Sequence, residues 1–114
     1  MPERSDRLYL ADILDAISAI EDFVRDMDYS VFTGDRKTRS AVIRELEVIG
    51  EAAGKISNEL KALHADLDWR TLKDFRNILA HEYFGIDNEI VWEIATEKLA
   101  LLKQRVVEIL PHIK

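Results

Sequence analysis

At 114 residues, 47% hydrophobic and 33% charged, the chain has the length of one domain with a single apolar core, and is neither a disordered tail nor a membrane-embedded protein. Its formal charge of −6 argues against a broad, non-specific grip on nucleic acid, so any RNA-directed activity must rest on a few well-placed cations. The absence of cysteine excludes disulfides, thiolate metal sites and cysteine nucleophiles.

The opening stretch, MPERSDRLYLADIL, lacks the basic start, apolar centre and small-residue cleavage site of a signal peptide, and no apolar run approaches a bilayer span. A soluble, cytoplasmic chain with no membrane association is the expectation. Both prolines, Pro2 and Pro111, stand at the ends, so nothing between them is barred from helix. Leu10, Ile13, Ile17, Ile20 and Val24 step by three and four along a first helix. The stretch DMDYSVFTG breaks that rhythm. A second helical series is Val42, Leu46, Ile49, Ala53, Ile56 and Leu60, with Gly50 and Gly54 inside it. Each interior glycine costs up to about 1 kcal/mol against alanine, and with Ala53 the pair predicts a smooth patch where another helix packs closely.

Asp68 can cap a third helix whose core face is Leu72, Phe75 and Leu79, and Gly85 can end it. Asp87 can cap a fourth, with Val91, Ile94, Leu99, Leu102, Val106 and Ile109 inward and Pro111 beyond its end. Strand-like alternation, internal repeats and linkers are absent. The pattern predicts one domain over residues 1–114, an all-α antiparallel four-helix bundle.

Polar chemistry concentrates in RNILAHEYFG, residues 76 to 85. Helical geometry sets Asn77 and His81 one turn apart on one face, and Arg76 and Tyr83 on a neighbouring face, all beside the Leu72–Phe75–Leu79 stripe. Unpaired carbonyls at a helix end favour a protonated His81. Arg76 offers a permanently charged fork suited to phosphate oxygens. Histidine with arginine suits phosphodiester chemistry through general acid–base and electrostatic stabilisation. Each residue also has an ordinary reading. A histidine near a helix end is usually a helix-terminal group, and Arg76 can pair with Asp74 or Glu82. Tyr83 can pack its ring, and Asn77 can bond a nearby loop. His64, His81 and His112 are too scattered for a local metal motif, and His81-Glu82 lacks a second histidine four residues after the first.

The run Arg76-Asn77-x-x-x-His81-x-Tyr83 resembles the R-x4-H-x-Y motif of HepT-like toxins in the HEPN superfamily. AVIRELEVIGEAAGKIS (41 to 57) resembles that family's second long helix, LDWRTLKDFRNILAHEYFGID (67 to 87) its motif helix, and VWEIATEKLALLKQRV its last helix. The resemblance implies a four-helix HEPN domain that forms a homodimer, with motif residues of two subunits facing a shared cleft. It implies a metal-independent endoribonuclease acting on RNA and not DNA, since the attacking 2′-hydroxyl is missing from DNA. Arg76 would stabilise the phosphorane-like transition state, His81 act as general acid or base, and Asn77 orient the phosphate or its histidine neighbour. Tyr83 would accept AMP from a minimal nucleotidyltransferase antitoxin, silencing the toxin. No cofactor is implied for this chain; the partner uses the ATP.

Arg44, Glu47, Glu51 and Lys55 form a polar stripe on the second helix. It reads as a solvated face with a Glu51–Lys55 pair, or, with the resemblance, as Glu51 buttressing the site and Arg44 adding RNA-facing charge. Asp35, Arg36, Lys37 and Arg39 read first as a solvated helix start, and as a second place for RNA contact. Trp69 and Trp92 read as core or interface residues, since single tryptophans do not make a base-stacking platform. The alternative to the ribonuclease toxin is a non-catalytic HEPN binding module that docks a nucleotidyltransferase and assists its substrate binding. A third reading confines the motif to stabilising a dimer.

Overall fold

The computed structural model describes residues 5–73 and 87–113, which are all-α, with no strand among them. Helix α1 is Asp6–Val24, and Ser5 Oγ caps it by accepting from the Leu8 N–H at 3.3 Å. Its buried face is Leu10, Ile13, Ala16, Ile17 and Ile20, the stripe expected from spacing, with Val24 packed at the core margin. Asp26 then turns the chain in the left-handed region (φ 64°), which aspartate tolerates better than most residues.

The stretch that breaks the rhythm folds as a helix of its own. Helix α2, Tyr29–Gly34, is capped by Asp28, whose Oδ1 accepts from the Val31 N–H at 2.8 Å. It is anchored by Phe32, which is fully buried against the Trp92 ring with centroids 5.0 Å apart. One deeply buried aromatic side chain makes up for a segment too short to hold itself helical in water.

Helix α3, Arg36–Lys55, starts at Asp35, which accepts from the Thr38 N–H (3.1 Å) and from its hydroxyl (2.9 Å). Its core face is Val42, Leu46, Ile49, Gly50, Ala52 and Ala53. The apolar series continues through Ile56 and Leu60, but the helix does not. Ile56 is extended (ψ 142°), and a separate helix α4, Asn58–Leu63, begins at Ser57. The cause is a contact from far along the chain: Asp6 accepts from the Ser57 N–H at 2.9 Å and from its hydroxyl at 2.5 Å. The same Ser57 hydroxyl caps α4 by accepting from the Leu60 N–H at 3.2 Å. With the Ser57 N–H pointing at Asp6, it is lost to α3, and the second expected helix divides in two.

Asp68 caps the next helix as expected, accepting from the Thr71 N–H (3.0 Å) and hydroxyl (2.6 Å), and residues 69–73 are helical. Trp69 and Leu72 are buried there, and the Trp69 indole donates to the His64 carbonyl at 3.0 Å. Asp87 caps helix α5, Asn88–Glu93, by accepting from the Glu89 N–H at 2.9 Å. A π-helical turn, Ile94–Lys98, joins it to helix α6, Leu99–Ile109, and a 3₁₀ turn, Leu110–His112, carries Pro111.

The six side chains expected inward on this last run are all buried. Ile94 and Ala95 are both buried within the π turn, and Leu99 is the next buried residue after them. The Leu99 N–H donates five residues back to Ile94, so one extra residue is absorbed without turning the face. The Thr96 hydroxyl donates to the Trp92 carbonyl at 2.7 Å.

Among the described residues the largest helix pairing is α1 against α3, with α6 and the π turn closing on α1 and α2 packing on α3 and α5. Arg7 donates to the Leu110 and Ile113 carbonyls (3.5 and 3.4 Å), linking the two ends of the described chain. Among the described residues no helix is long and apolar enough to cross a membrane.

Candidate functional site

Arg76, Asn77, His81 and Tyr83 lie outside the described residues, as do Phe75, Leu79 and Gly85. The chain enters that span through the 69–73 helix and leaves it at Asp87, the two ends that the structure fixes. Asp68 and Asp87 are both helix caps, so each end is held by side-chain acceptance of backbone N–H groups. The Thr71 hydroxyl, with the Thr71 N–H behind it, holds the Asp68 carboxyl below the usual carboxylate range.

On α3 the polar stripe is solvated, as its spacing suggested. Arg44 stands 3.8 Å from Glu47 and Lys55 stands 3.4 Å from Glu51, with the side chains widely exposed. Such pairs contribute little to stability. Glu51 nevertheless does more than face solvent. It lines a small cavity of about 210 Å³ with Tyr9, Asp12, Val48, Ala52 and Lys55, in the seam between α1 and α3. Arg44 does not reach this cavity.

Tyr9 and Asp12 are the residues that sequence reasoning passed over. They are three apart on α1, each one place before a core residue (Leu10, Ile13), so they edge the buried stripe. That spacing was a signal, but only the pairing of α1 with α3 puts it opposite Glu51.

Of the small-residue patch, Gly50 and Ala53 are buried. Gly54 is exposed and faces a lysine stem: a Cβ built there would stand 3.6 Å from Lys73 Cγ, an ordinary contact. Lys73 thus lies along the C-terminal end of α3, against Gly54, and stands three residues before Arg76 in the chain.

At the basic-rich start of α3, Asp35 and Arg39 are engaged in the fold, while Arg36 and Lys37 are exposed. Asp35 is its cap, with a carboxyl held below the usual range by the Thr38 N–H first and the Thr38 hydroxyl next. Arg39 donates to the Thr33 carbonyl at the end of α2. Trp69 is core, and Trp92 is half-buried between Tyr29 and Phe32. A second, apolar cavity of about 400 Å³ runs between Leu67, Leu72 and α6, beside Arg105, which pairs with Asp66 (2.9 Å) and Glu108 (2.7 Å).

Three comparisons bear on this arrangement. A protein-family model described as "Ribonuclease HepT-like" matches residues 13–109. A Thermococcus cleftensis protein named "Probable ribonuclease HepT" is 44% identical over 101 residues, 89% of this chain and 92% of that protein. Two proteins named "Putative RNase" are also similar. One, from Methanocaldococcus jannaschii, is 38% identical over 93% of this chain and 97% of its own length. The other, from Caldanaerobacter subterraneus, is 32% identical over 97% and 99%. No solved structure gives a significant match.

Proposed function

Because the chain belongs to the HepT-like ribonuclease family, we propose that it is the toxin of a toxin–antitoxin pair, a metal-independent endoribonuclease silenced by AMP transfer to Tyr83. The observation that carries this reading is the complete Arg76-Asn77-x-x-x-His81-x-Tyr83 pattern inside the span matched by the family model. In the proposed reaction the ribose 2′-oxygen bonds to the adjacent phosphorus and the bond from phosphorus to the 5′-oxygen breaks. His81 takes the 2′-hydroxyl proton or supplies one to the departing 5′-oxygen. Arg76 neutralises charge gathering on the non-bridging oxygens, and Asn77 orients the phosphate or His81. Two subunits of a homodimer contribute motif residues to one cleft.

Silencing follows from charge. Transfer of AMP from ATP to the Tyr83 hydroxyl, with pyrophosphate leaving, places an anion two residues from His81 and within the motif of Arg76. The adduct occupies the phosphate site and repels RNA. The donor enzyme is a minimal nucleotidyltransferase, the antitoxin, and both proteins act in the cytoplasm.

Net charge supports a second reading, a non-catalytic module that docks a nucleotidyltransferase, since a chain at −6 repels RNA over most of its surface. Purified protein, incubated with RNA in excess EDTA beside a His81→Ala control, separates the two. Cleavage that disappears with His81 is the expected result; intact RNA, or equal cleavage by the variant, selects the binding module or another site. Mass spectrometry after incubation with the partner and ATP tests the switch, and an unmodified Tyr83 would overturn it.

A further inference from the structure

We propose that the cavity between α1 and α3 is a base-reading subsite selective for guanine, a specificity element that rests on the ribonuclease reading above. The cavity joins an aromatic ring (Tyr9), two carboxylates (Asp12 and Glu51) and an ammonium (Lys55) around a wall of Val48 and Ala52. At about 210 Å³ it is smaller than the roughly 300–1,000 Å³ of sites for drug-sized ligands, which suits a single ring system.

Its charges choose which part of a nucleotide enters. Two carboxylates repel a phosphate, so the sugar–phosphate chain stays outside and a group rich in N–H donors goes in. Carboxylates are acceptors only, and each offers about four lone-pair sites, so contacts already made within the protein leave capacity for a ligand. Guanine is the base that sets an N1–H and an exocyclic N2–H₂ beside a carbonyl on one edge. Asp12 and Glu51 accept from those two donors, and Lys55 donates to O6. Adenine and cytosine bring an exocyclic amine but no adjacent ring N–H, and uracil brings one N–H alone. The Tyr9 ring supplies a stacking face, the usual way a protein holds an unpaired base.

The position agrees with this use. Lys55 lines the cavity and puts positive charge at its edge, where a strand's phosphates pass.

The test titrates GMP, AMP, CMP and UMP into the full chain by calorimetry, then repeats this with Asp12→Asn and Glu51→Gln. These substitutions keep shape and replace an acceptor with an amide. A well-made pair of base contacts discriminates by about fivefold or more, so GMP should bind at least that much more tightly than the others. Both variants should lose the preference while keeping the helical circular dichroism of the parent. Equal affinity for the four nucleotides, no binding of any, or a preference that survives both substitutions would each overturn the proposal. A parallel arm measures cleavage of oligoribonucleotides carrying one guanine in an otherwise guanine-free sequence, and cuts should fall beside it. A GMP preference without cleavage keeps the subsite and rejects the ribonuclease reading; cleavage indifferent to guanine does the reverse.

Discussion

Deleting Thr96 should leave the protein folded and about as stable as before, although it removes a residue from the middle of a packed helix. The buried residues of the last helical run are Val91, Ile94, Ala95, Leu99, Leu102, Val106 and Ile109, and between Ile94 and Leu99 the π turn holds one residue more than an α-helix of the same register would, a surplus that deletion of Thr96 removes. The π turn exists to absorb the surplus residue. Were the same sequence purely α-helical, everything after it would rotate by about 100°. Leu99, Leu102, Val106 and Ile109, each at most 5% exposed, would then turn away from the positions in which they are now buried. At roughly 1.5–3 kcal/mol per side chain, complete loss of that burial would cost about 6–12 kcal/mol. That is comparable with the whole stability of a domain this size, about 0.05–0.15 kcal/mol per residue. A few weakened backbone hydrogen bonds, each worth about 1 kcal/mol, cost far less, so the π turn wins. Without Thr96 the helix needs no correction, and urea unfolding followed by circular dichroism should shift by no more than about 1 kcal/mol in either direction. Inserting one alanine beside Thr96 makes the step from Ile94 to Leu99 six and should cost at least about 3 kcal/mol, two side chains' worth of burial. A deletion that unfolds the chain, or an insertion tolerated as well as the deletion, would refute the reasoning.

Phe32→Ala should cost about 3–5 kcal/mol, because the ring is fully buried and is the anchor of α2. In a Trp69→Phe background, Trp92 emission should move to the red as water reaches the space that Phe32 left, and unchanged emission would count against the packing described. Asp6→Ala should cost about 2 kcal/mol by removing two hydrogen bonds to a carboxylate and orphaning the Ser57 N–H. Hydrogen exchange at Ser57 should speed up well before that of the α3 interior; equal protection in parent and variant would show that the contact is dispensable. The Asp35 and Asp68 carboxyls lie below the ordinary value of 3.8, through the Thr38 N–H in one case and the Thr71 hydroxyl in the other. A lowered folded-state pKa favours folding above the unfolded value and loses that contribution as pH falls through the folded one. Stability should therefore decline below about pH 4, and less steeply in Thr71→Val, as measured by urea titrations across that range.

Much of the fold was legible because its signals are local. The apolar stripe of α1, the caps at Asp68 and Asp87 and the inward series of the last helix each depend on residues two to five apart. The π turn was not legible: Val91, Ala95, Leu99, Leu102, Val106 and Ile109 step by three and four, the spacing of an unbroken α-helix. For the candidate site, residue chemistry drew attention to Arg76, Asn77, His81 and Tyr83, the resemblance to the HepT-like motif supplied their expected roles, and all four lie outside the described residues.

Tertiary contact decided the rest. The series Val42 to Leu60 is continuous in sequence, yet the helix stops at Ile56 because Asp6, 51 residues away, takes the Ser57 N–H. Phe32 makes a helix of a stretch that looks like a break, because Trp92, from the other half of the chain, gives it a surface to bury against. Tyr9 and Asp12 meet Glu51 and Lys55 because α1 lies against α3, and no spacing within either helix specifies that neighbour. A sequence sets which faces and caps each helix offers. Which faces meet is set by the burial they share, a property of the whole chain and of no single window in it.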